Sequence, residues 1–361
     1  MALLTATATT SAATEIGLSP LIGGLLDSIG RKAVLVGVLV TALISNTLVA
    51  ISPCVPFVAL SKFVSSLVIG LFFLVNGAIL ADNYRDDAKK FAAVSGVTYA
   101  LVNAGFSVGI GLSGAPFIPQ ALRGKYATSV AFSTAALATA LVGVRESLPP
   151  SERRPFQARA FNPFAFTRLV SASPTMRLLA ACLALALAPL FMGDTLQVFA
   201  IRQWGLTPTQ VAQLFGGIGI SGIISNVLGG GLIKRFGLQA FTALATTSTL
   251  VMWAGFASGS LKAAIVCAVV GFLGPARTLG ATTMITAEGA RLGIPQGQLS
   301  GDRANLVAWL KVLGPLVYGQ LYLHGVQVGL PSAPFFLNVV LALLALILGP
   351  YALSRAAAST A

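Results

Sequence analysis

The chain has 361 residues, of which 56% are hydrophobic and only 9% are charged, and its net charge is +13. Soluble domains have about a quarter charged residues, so this composition excludes an ordinary globule in water and favours a lipid bilayer as the solvent. The basic residues lie in short loops between apolar runs, which fits membrane topology better than nucleic-acid binding.

Apolar runs of about 20 residues, the length needed to cross about 30 Å of hydrocarbon, recur along the whole chain. They predict an all-α membrane protein, a two-half helical bundle with eleven transmembrane helices. We place these helices at 3–25, 33–51, 56–81, 92–113, 126–144, 178–200, 209–232, 239–258, 263–286, 304–324 and 334–354.

One long hydrophilic segment, rich in arginine and proline, interrupts the apolar runs at 145–177. It predicts an N-terminal membrane half of five helices at 1–144, a linker, and a C-terminal half of six helices at 178–361. The linker and the loops on its side of the membrane hold most of the basic residues, which predicts that this side is cytoplasmic.

The two predicted halves contain related segments. The residues GGLLDSIG follow the first predicted helix from Gly23, and GGLIKRFG follow the seventh from Gly230. Asp82 ends the third predicted helix and Glu288 ends the ninth, at nearly the same offset. Parallel repeats of this kind are typical of transporters.

The segment GGLLDSIGRK, from Gly23 to Lys32, resembles the loop signature of the major facilitator superfamily. The resemblance implies a cytoplasmic gating loop formed by Gly23, Asp27, Gly30, Arg31 and Lys32. It also implies that Asp27 meets the positive end of a helix dipole in the other half, near Asp302 and Arg303. The other interpretation is an ordinary basic loop with a glycine turn.

Two further segments resemble the drug/proton antiporter branch of this family. The fourth predicted helix carries the antiporter-like glycines Gly96, Gly105, Gly109 and Gly114, although Ile110 and Ser113 replace the usual proline and glycine. The tenth predicted helix, within GQLSGDRANLVAWLKVLGPLVYGQLY, is similar to its counterpart in tetracycline/proton antiporters. These likenesses imply proton-coupled efflux.

The family has twelve helices, and its loop signature follows the second. Only about 22 residues precede Gly23, enough for one helix, so the family's first helix has no counterpart in the sequence. An incomplete gene model is the favoured explanation, and a protein that lacks this helix is the other. A transit peptide is a third interpretation, because no acidic residue precedes Glu15, but the segment also lacks arginine.

Charged residues inside predicted spans are functional candidates, since each costs at least about 2.5–3.5 kcal/mol in the bilayer. They are Glu15, Lys62, Asp194, Arg277 and Lys311. These are candidates for the transport cavity or for proton coupling.

Each charged candidate has more than one interpretation. Glu15 could load and release a proton or form a buried ion pair. Lys62 stands where the family has an arginine, so it keeps the charge but loses the planar fork. Arg277 could hold an anionic group or pair with Asp194 or Glu15. Asp194 could face the cavity or pair with Arg202 at the interface, and Lys311 could line the cavity or extend toward an interface.

The sequence therefore predicts a secondary active transporter of a small organic solute, working by alternating access and coupled to protons. An uncoupled facilitator and a non-transporting receptor or scaffold are the alternatives. We expect a monomeric multi-pass protein of the plasma membrane or an organelle membrane, with no nucleic-acid partner. Three cysteines without paired spacing and a single histidine predict no metal site and no enzyme. No cofactor is expected, and no phosphate-binding GxxxxGK[ST] motif is present.

Overall fold

The computed structural model describes residues 2–84, 87–113, 121–156 and 162–360, and within these ranges the chain contains no β-strand. The first five helices are α1 (Ala2–Ile29), α2 (Arg31–Ile51), α3 (Val55–Tyr84), α4 (Ala88–Ser113) and α5 (Leu122–Gly143). A short 3-10 helix, Pro150–Glu152, and α6 (Thr167–Ala172) lie in the linker.

The remaining helices complete the chain after the linker. They are α7 (Pro174–Leu187), α8 (Gly193–Gln203), α9 (Pro208–Phe236), α10 (Leu238–Ala257), α11 (Leu261–Val270), α12 (Thr278–Arg291), α13 (Gln296–Gln327) and α14 (Ala333–Thr360). Two 3-10 helices, Ala188–Met192 and Gly274–Arg277, connect α7 to α8 and lead into α12.

Within the described residues, nine helices are long and apolar enough to cross a membrane, or ten if the bent pair of α11 and α12 forms one span. The predicted count of eleven is therefore not confirmed. The difference lies in α1, which is helical from Ala2 to Ile29 but is not among these spans.

Two helices predicted to be continuous are broken. The predicted helix at 178–200 is interrupted by the 3-10 turn that contains Pro189, and the one at 263–286 bends by 56° before Gly274 and Pro275. Proline lacks a backbone N–H, and its ring clashes with the preceding turn, so each proline marks a break in the helical hydrogen bonds. Hydropathy alone does not register these breaks.

The two related segments, the first of which was predicted to be a loop, are helical up to Ile29 and Phe236, and each ends in the same kind of turn. Gly30, between α1 and α2, has φ of +103°, and Gly237, between α9 and α10, has φ of +82°. Only glycine adopts these angles without strain. The predicted repeat therefore has a matching backbone turn at corresponding positions.

The chain forms two compact units. The first contains Met1–Asn83, Val108–Leu169 and Gly293–Trp309, and the second contains Tyr84–Ser107, Val170–Leu292 and Leu310–Ala361. The core of the first unit is aliphatic and includes Leu26, Leu35, Val38, Leu74 and Val75. A core cluster of the second unit is largely aromatic and includes Phe199, Trp253, Phe256, Tyr318 and Phe335. The predicted halves at 1–144 and 178–361 stay a prediction.

Candidate functional site

Asp27, in the last turn of α1, binds the first turn of α13. Its two carboxylate oxygens accept the backbone N–H groups of Gly297, at 3.0 Å, and Gln298, at 2.8 Å. These N–H groups have no partner inside the helix and form the positive end of its dipole. The contact lies earlier in the chain than the predicted position near Asp302 and Arg303, because α13 begins at Gln296.

The approach of α1 to this end of α13 depends on glycine. A Cβ atom on Gly297 would lie 2.6 Å from a carboxylate oxygen of Asp27, and one on Gly23 would lie 2.7 Å from the carbonyl oxygen of Gly297. Both distances are shorter than van der Waals contact. Gly23 and Gly297 therefore allow the backbones to come close enough for the carboxylate to reach the helix end.

Arg31 joins two carboxylates of the first unit. Its guanidinium lies 3.0 Å from Asp27 and 2.9 Å from Asp82, and it donates to the carbonyl of Leu26. Arg31 is 1% exposed, so this charge is almost fully desolvated and depends on its partners. Ser147 adds a hydroxyl hydrogen bond to Asp82 at 2.9 Å.

Glu146, at the start of the linker, caps α2. Its carboxylate accepts the backbone N–H groups of Arg31 at 2.9 Å, Lys32 at 3.2 Å and Leu148 at 3.1 Å. Partial burial by itself raises the pKa of Glu146, but these three N–H donors and the charge of Arg153 outweigh it and hold the pKa below its ordinary value. The Lys32 ammonium donates to the carbonyl of Leu141. The signature loop is thus tied to the linker.

Glu288, the predicted counterpart of Asp82, is also paired with an arginine. It accepts hydrogen bonds from the guanidinium of Arg291 at 2.8 Å and from the hydroxyl of Ser173 at 2.8 Å. Each unit therefore has an acidic residue near the end of a helix that is bound by arginine and by a serine hydroxyl, and Glu288 is the more deeply buried of the two. The arginine is the first residue of α2 in the first unit and comes from the same helix as the acid in the second.

Glu15 is buried in the middle of α1, with 1% of its surface exposed. Its carboxylate lies against Gly70 of α3, where a Cβ atom would collide with it. One residue further along α1, the carbonyl of Ile16 accepts a hydrogen bond of 2.6 Å from the side chain of Asn305. Asn305 thus binds the backbone of α1 at the position next to Glu15.

Arg277 is buried in the second unit, with 6% of its surface exposed. Its Nε donates to the carbonyl of Ala186 at 2.8 Å, and its Nη1 donates to the carbonyl of Gly274 at 3.0 Å. Its Nη2 has no hydrogen-bond partner. An ion pair of Arg277 with Asp194 or Glu15, its expected alternative, is not among the ion pairs of the described residues, and the role of Arg277 stays a prediction.

The other charged candidates lie at more exposed positions. Lys62 is exposed on α3, Asp194 is exposed in the first turn of α8, and Lys311 is partly buried on α13. The expected pairing of Asp194 with Arg202 is not among the ion pairs of the described residues. Their roles in a cavity or in proton coupling stay predictions.

The antiporter-like glycines of α4 differ in their surroundings. A Cβ atom on Gly96 would lie 2.7 Å from the carbonyl oxygen of Asn226 in α9, so this glycine permits close helix packing. Gly105 and Gly109 have no atom within 4 Å of such a Cβ. Gly114 lies outside the described residues.

The main feature that the sequence did not predict is the docking of the linker on α13 in the first unit. Asn305 is fully buried; its side chain accepts the N–H of Phe166 at 3.0 Å and donates to the carbonyl of Pro163 at 3.1 Å. Trp309 donates to the same carbonyl at 2.8 Å. Arg168 forms a bidentate pair with Asp302, in which Nε lies 3.0 Å from Oδ2. Neither Pro163 nor Asn305 stands in a sequence pattern specific enough to predict this contact.

A cavity of about 590 Å³ lies in the second unit, beside the turn between α9 and α10. Its lining includes Phe236, Leu238, Met284, Pro350 and Leu353. It contains none of the predicted site residues, so the sequence-based candidates and this cavity are separate features.

The long apolar helices are those of a multi-pass membrane protein. The family model of the Major Facilitator Superfamily matches residues 2–294, and the chain belongs to this superfamily. It is thus a transporter rather than an enzyme, and an integral membrane protein.

Solved structures with the same fold include several transporters. The human organic anion transporter TETRAN is 19% identical with a TM-score of 0.75, over 95% of this chain and 82% of that one. A bacterial homologue of the iron transporter ferroportin is 18% identical with a TM-score of 0.67, over 98% and 90%. The E. coli fucose:proton symporter is 13% identical with a TM-score of 0.66, over 97% and 93%. Comparison with curated protein sequences gives no match.

Proposed function

We propose that the protein is a secondary active transporter that moves a small organic solute by alternating access and couples this movement to protons. The observation that carries the proposal is the buried carboxylate of Glu15, which is 1% exposed in the middle of α1. A carboxylate in a low-dielectric interior changes its proton affinity strongly when its surroundings change. A conformational cycle that exposes and buries Glu15 would therefore take up and release a proton.

The direction of transport that we propose is efflux, as in the drug/proton antiporter branch. The glycine pattern of α4 supports it by its resemblance to that branch, and Gly96 of this pattern lets α4 and α9 approach closely within the second unit. The likeness of the α13 sequence to tetracycline/proton antiporters supports the same branch. We further propose that the segment from Gly23 to Lys32, which joins α1 to α2 at Gly30, acts as the gate on the cytoplasmic side.

Proteoliposomes that contain the full chain and an internal pH-sensitive dye would test this proposal. We expect a solute gradient, with tetracycline and 1-naphthoate as the first probes, to drive proton movement in the wild type. The Glu15→Gln variant should lose proton movement, since an amide cannot carry a proton at neutral pH. The matched control is Glu152→Gln, which removes an exposed acid of the linker.

An uncoupled facilitator is the second candidate, and the exposed Lys62 supports it. This residue stands where the family has an embedded arginine, and it belongs to none of the ion pairs found among the described residues. Solute flux in the wild type without proton movement would favour the facilitator. Binding of solute without any flux would favour a receptor or scaffold derived from a transporter.

A further inference from the structure

The starting observation is a buried positive charge without a negative partner. Arg277 is 6% exposed, and in the part of the chain that the structure describes no carboxylate forms an ion pair with it. Two of its nitrogens donate to the carbonyls of Ala186 and Gly274, and Nη2 donates to nothing. Burying a guanidinium without compensating its charge is unfavourable, and an anion beside Nη2 would supply that compensation.

A second donor without a partner lies close by in the fold. The Gly274 carbonyl that binds Arg277 also accepts the hydroxyl of Thr249 on α10, at 3.3 Å. One helical turn further along α10, on the same face, is Trp253, whose buried Nε1 has no hydrogen-bond partner. Both groups can only donate, so an acceptor is what this region lacks.

The surroundings of these donors are aromatic. Trp253 stacks on Phe335 with ring centroids 6.2 Å apart and meets Phe256 edge-on at 5.5 Å. Tyr318 in the same cluster has its own partner, since its hydroxyl donates to the side chain of Asn338 at 2.6 Å. The region is therefore aromatic and contains two donors that lack an acceptor.

We propose that Arg277 binds the carboxylate of the transported solute, and that this solute is a small organic acid with an aromatic or otherwise apolar body. One carboxylate oxygen accepts Nη2 of Arg277, and Trp253 supplies a second donor and the aromatic surface beside it. This inference rests on the proposed transport function and specifies its substrate class. The competing explanation is that Arg277 only joins two helix breaks through its carbonyl contacts.

Equilibrium binding of a matched pair of probes to the purified full chain separates these explanations. The probes are 1-naphthoate and the uncharged 1-naphthamide. We expect wild type to prefer the anion by roughly tenfold, the value of one charge-assisted hydrogen bond. Arg277→Gln should lose this preference. Arg277→Lys, which keeps the charge but not the planar fork, should bind 1-naphthoate several-fold more weakly. Arg202→Gln, an exposed arginine of the same unit, should bind as wild type does.

Three results would overturn the inference: equal affinity of the two probes for the wild type, an unchanged preference in folded Arg277→Gln, or wild-type affinity for 1-naphthoate in Arg277→Lys. If Arg277→Gln does not fold, two measurements still test the inference: the affinities of the wild type for the two probes, and the affinity of Arg277→Lys for 1-naphthoate. Binding of 1-naphthoate through Arg277 without flux in proteoliposomes would leave the anion site intact and refute transport. Proton-coupled flux of a neutral solute that is unaffected by Arg277→Gln would support transport and refute the anion site.

Discussion

The carboxylate of Glu15 lies directly against Gly70, and the missing side chain of the glycine is the space that the carboxylate occupies. The two residues belong to α1 and α3 of the first unit. Because Glu15 is buried, its position depends on this contact. A substitution of Gly70 should therefore displace the Glu15 carboxylate without changing the carboxylate itself.

Replacing Gly70 by alanine is expected to displace the Glu15 carboxylate and to impair proton movement in proteoliposomes nearly as much as Glu15→Gln does. The cause is steric, since the new Cβ would overlap the carboxylate. The control is Gly37→Ala on α2, where a Cβ meets no atom within 4 Å. Wild-type proton movement in Gly70→Ala would argue against a role of this contact in coupling.

Removing the Asp27 carboxylate is expected to destabilise the protein. Asp27→Ala leaves the N–H groups of Gly297 and Gln298 without an acceptor and takes one of two carboxylates from Arg31. Hydrogen bonds to charged groups contribute about 1.5–3 kcal/mol, so we expect a loss of about 2 kcal/mol and a lower thermal midpoint in detergent. Asp27→Asn should lose less, because its amide oxygen still accepts. An unchanged midpoint in Asp27→Ala would contradict this interpretation.

Acid should weaken the capping of α2 by Glu146. The folded pKa of Glu146 lies below its ordinary value of 4.5, so its contribution to stability is present above pH 4.5 and is lost as the pH falls through the folded pKa. Thermal midpoints measured between about pH 6 and pH 3 should therefore fall less steeply for Glu146→Gln than for the wild type. Glu152→Gln is the control and should follow the wild type. Parallel curves for all three proteins would refute the prediction.

The pair of Arg168 and Asp302 is suited to a double-mutant cycle. Asp302 has a buried side chain, whereas that of Arg168 is 37% exposed. Arg168→Gln should destabilise the protein by about 1–3 kcal/mol, less than the 3–5 kcal/mol of a fully buried pair. Asp302→Asn in the same chain should recover part of the loss. Arg145→Gln, in an exposed part of the linker, is the control for charge. Additive losses would indicate that the two side chains are not coupled.

Local chemistry made parts of the fold predictable from sequence. The glycine that ends each repeat segment suits a turn, and Gly30 and Gly237 both have positive φ. Resemblance to the family indicated that Asp27 meets a helix end. The position of that end was wrong, because hydropathy places the tenth helix at 304–324 whereas α13 begins with polar residues at Gln296. Hydropathy detects the apolar part of a helix and not its ends.

Other features depend on contacts that no sequence pattern records. Asn305 and Phe166 are 139 positions apart, and nothing in either segment indicates that they bind each other. The burial of Arg277 followed from its place within an apolar run, but its acceptors did not. Ala186, 91 positions earlier, became an acceptor only through the packing of the second unit.

The hydrogen bond from Arg277 to Ala186 links the two broken helices of the second unit. In a 3-10 turn the carbonyl of Ala186 would be bound by residue 189, which is a proline and has no N–H. Arg277, which ends the 3-10 helix before α12, supplies the missing donor. If either helix straightened at its break, the other would lose a partner. The interruptions after α7 and before α12 are therefore coupled through this hydrogen bond. A substitution at Pro189 should alter the position of the Arg277 side chain.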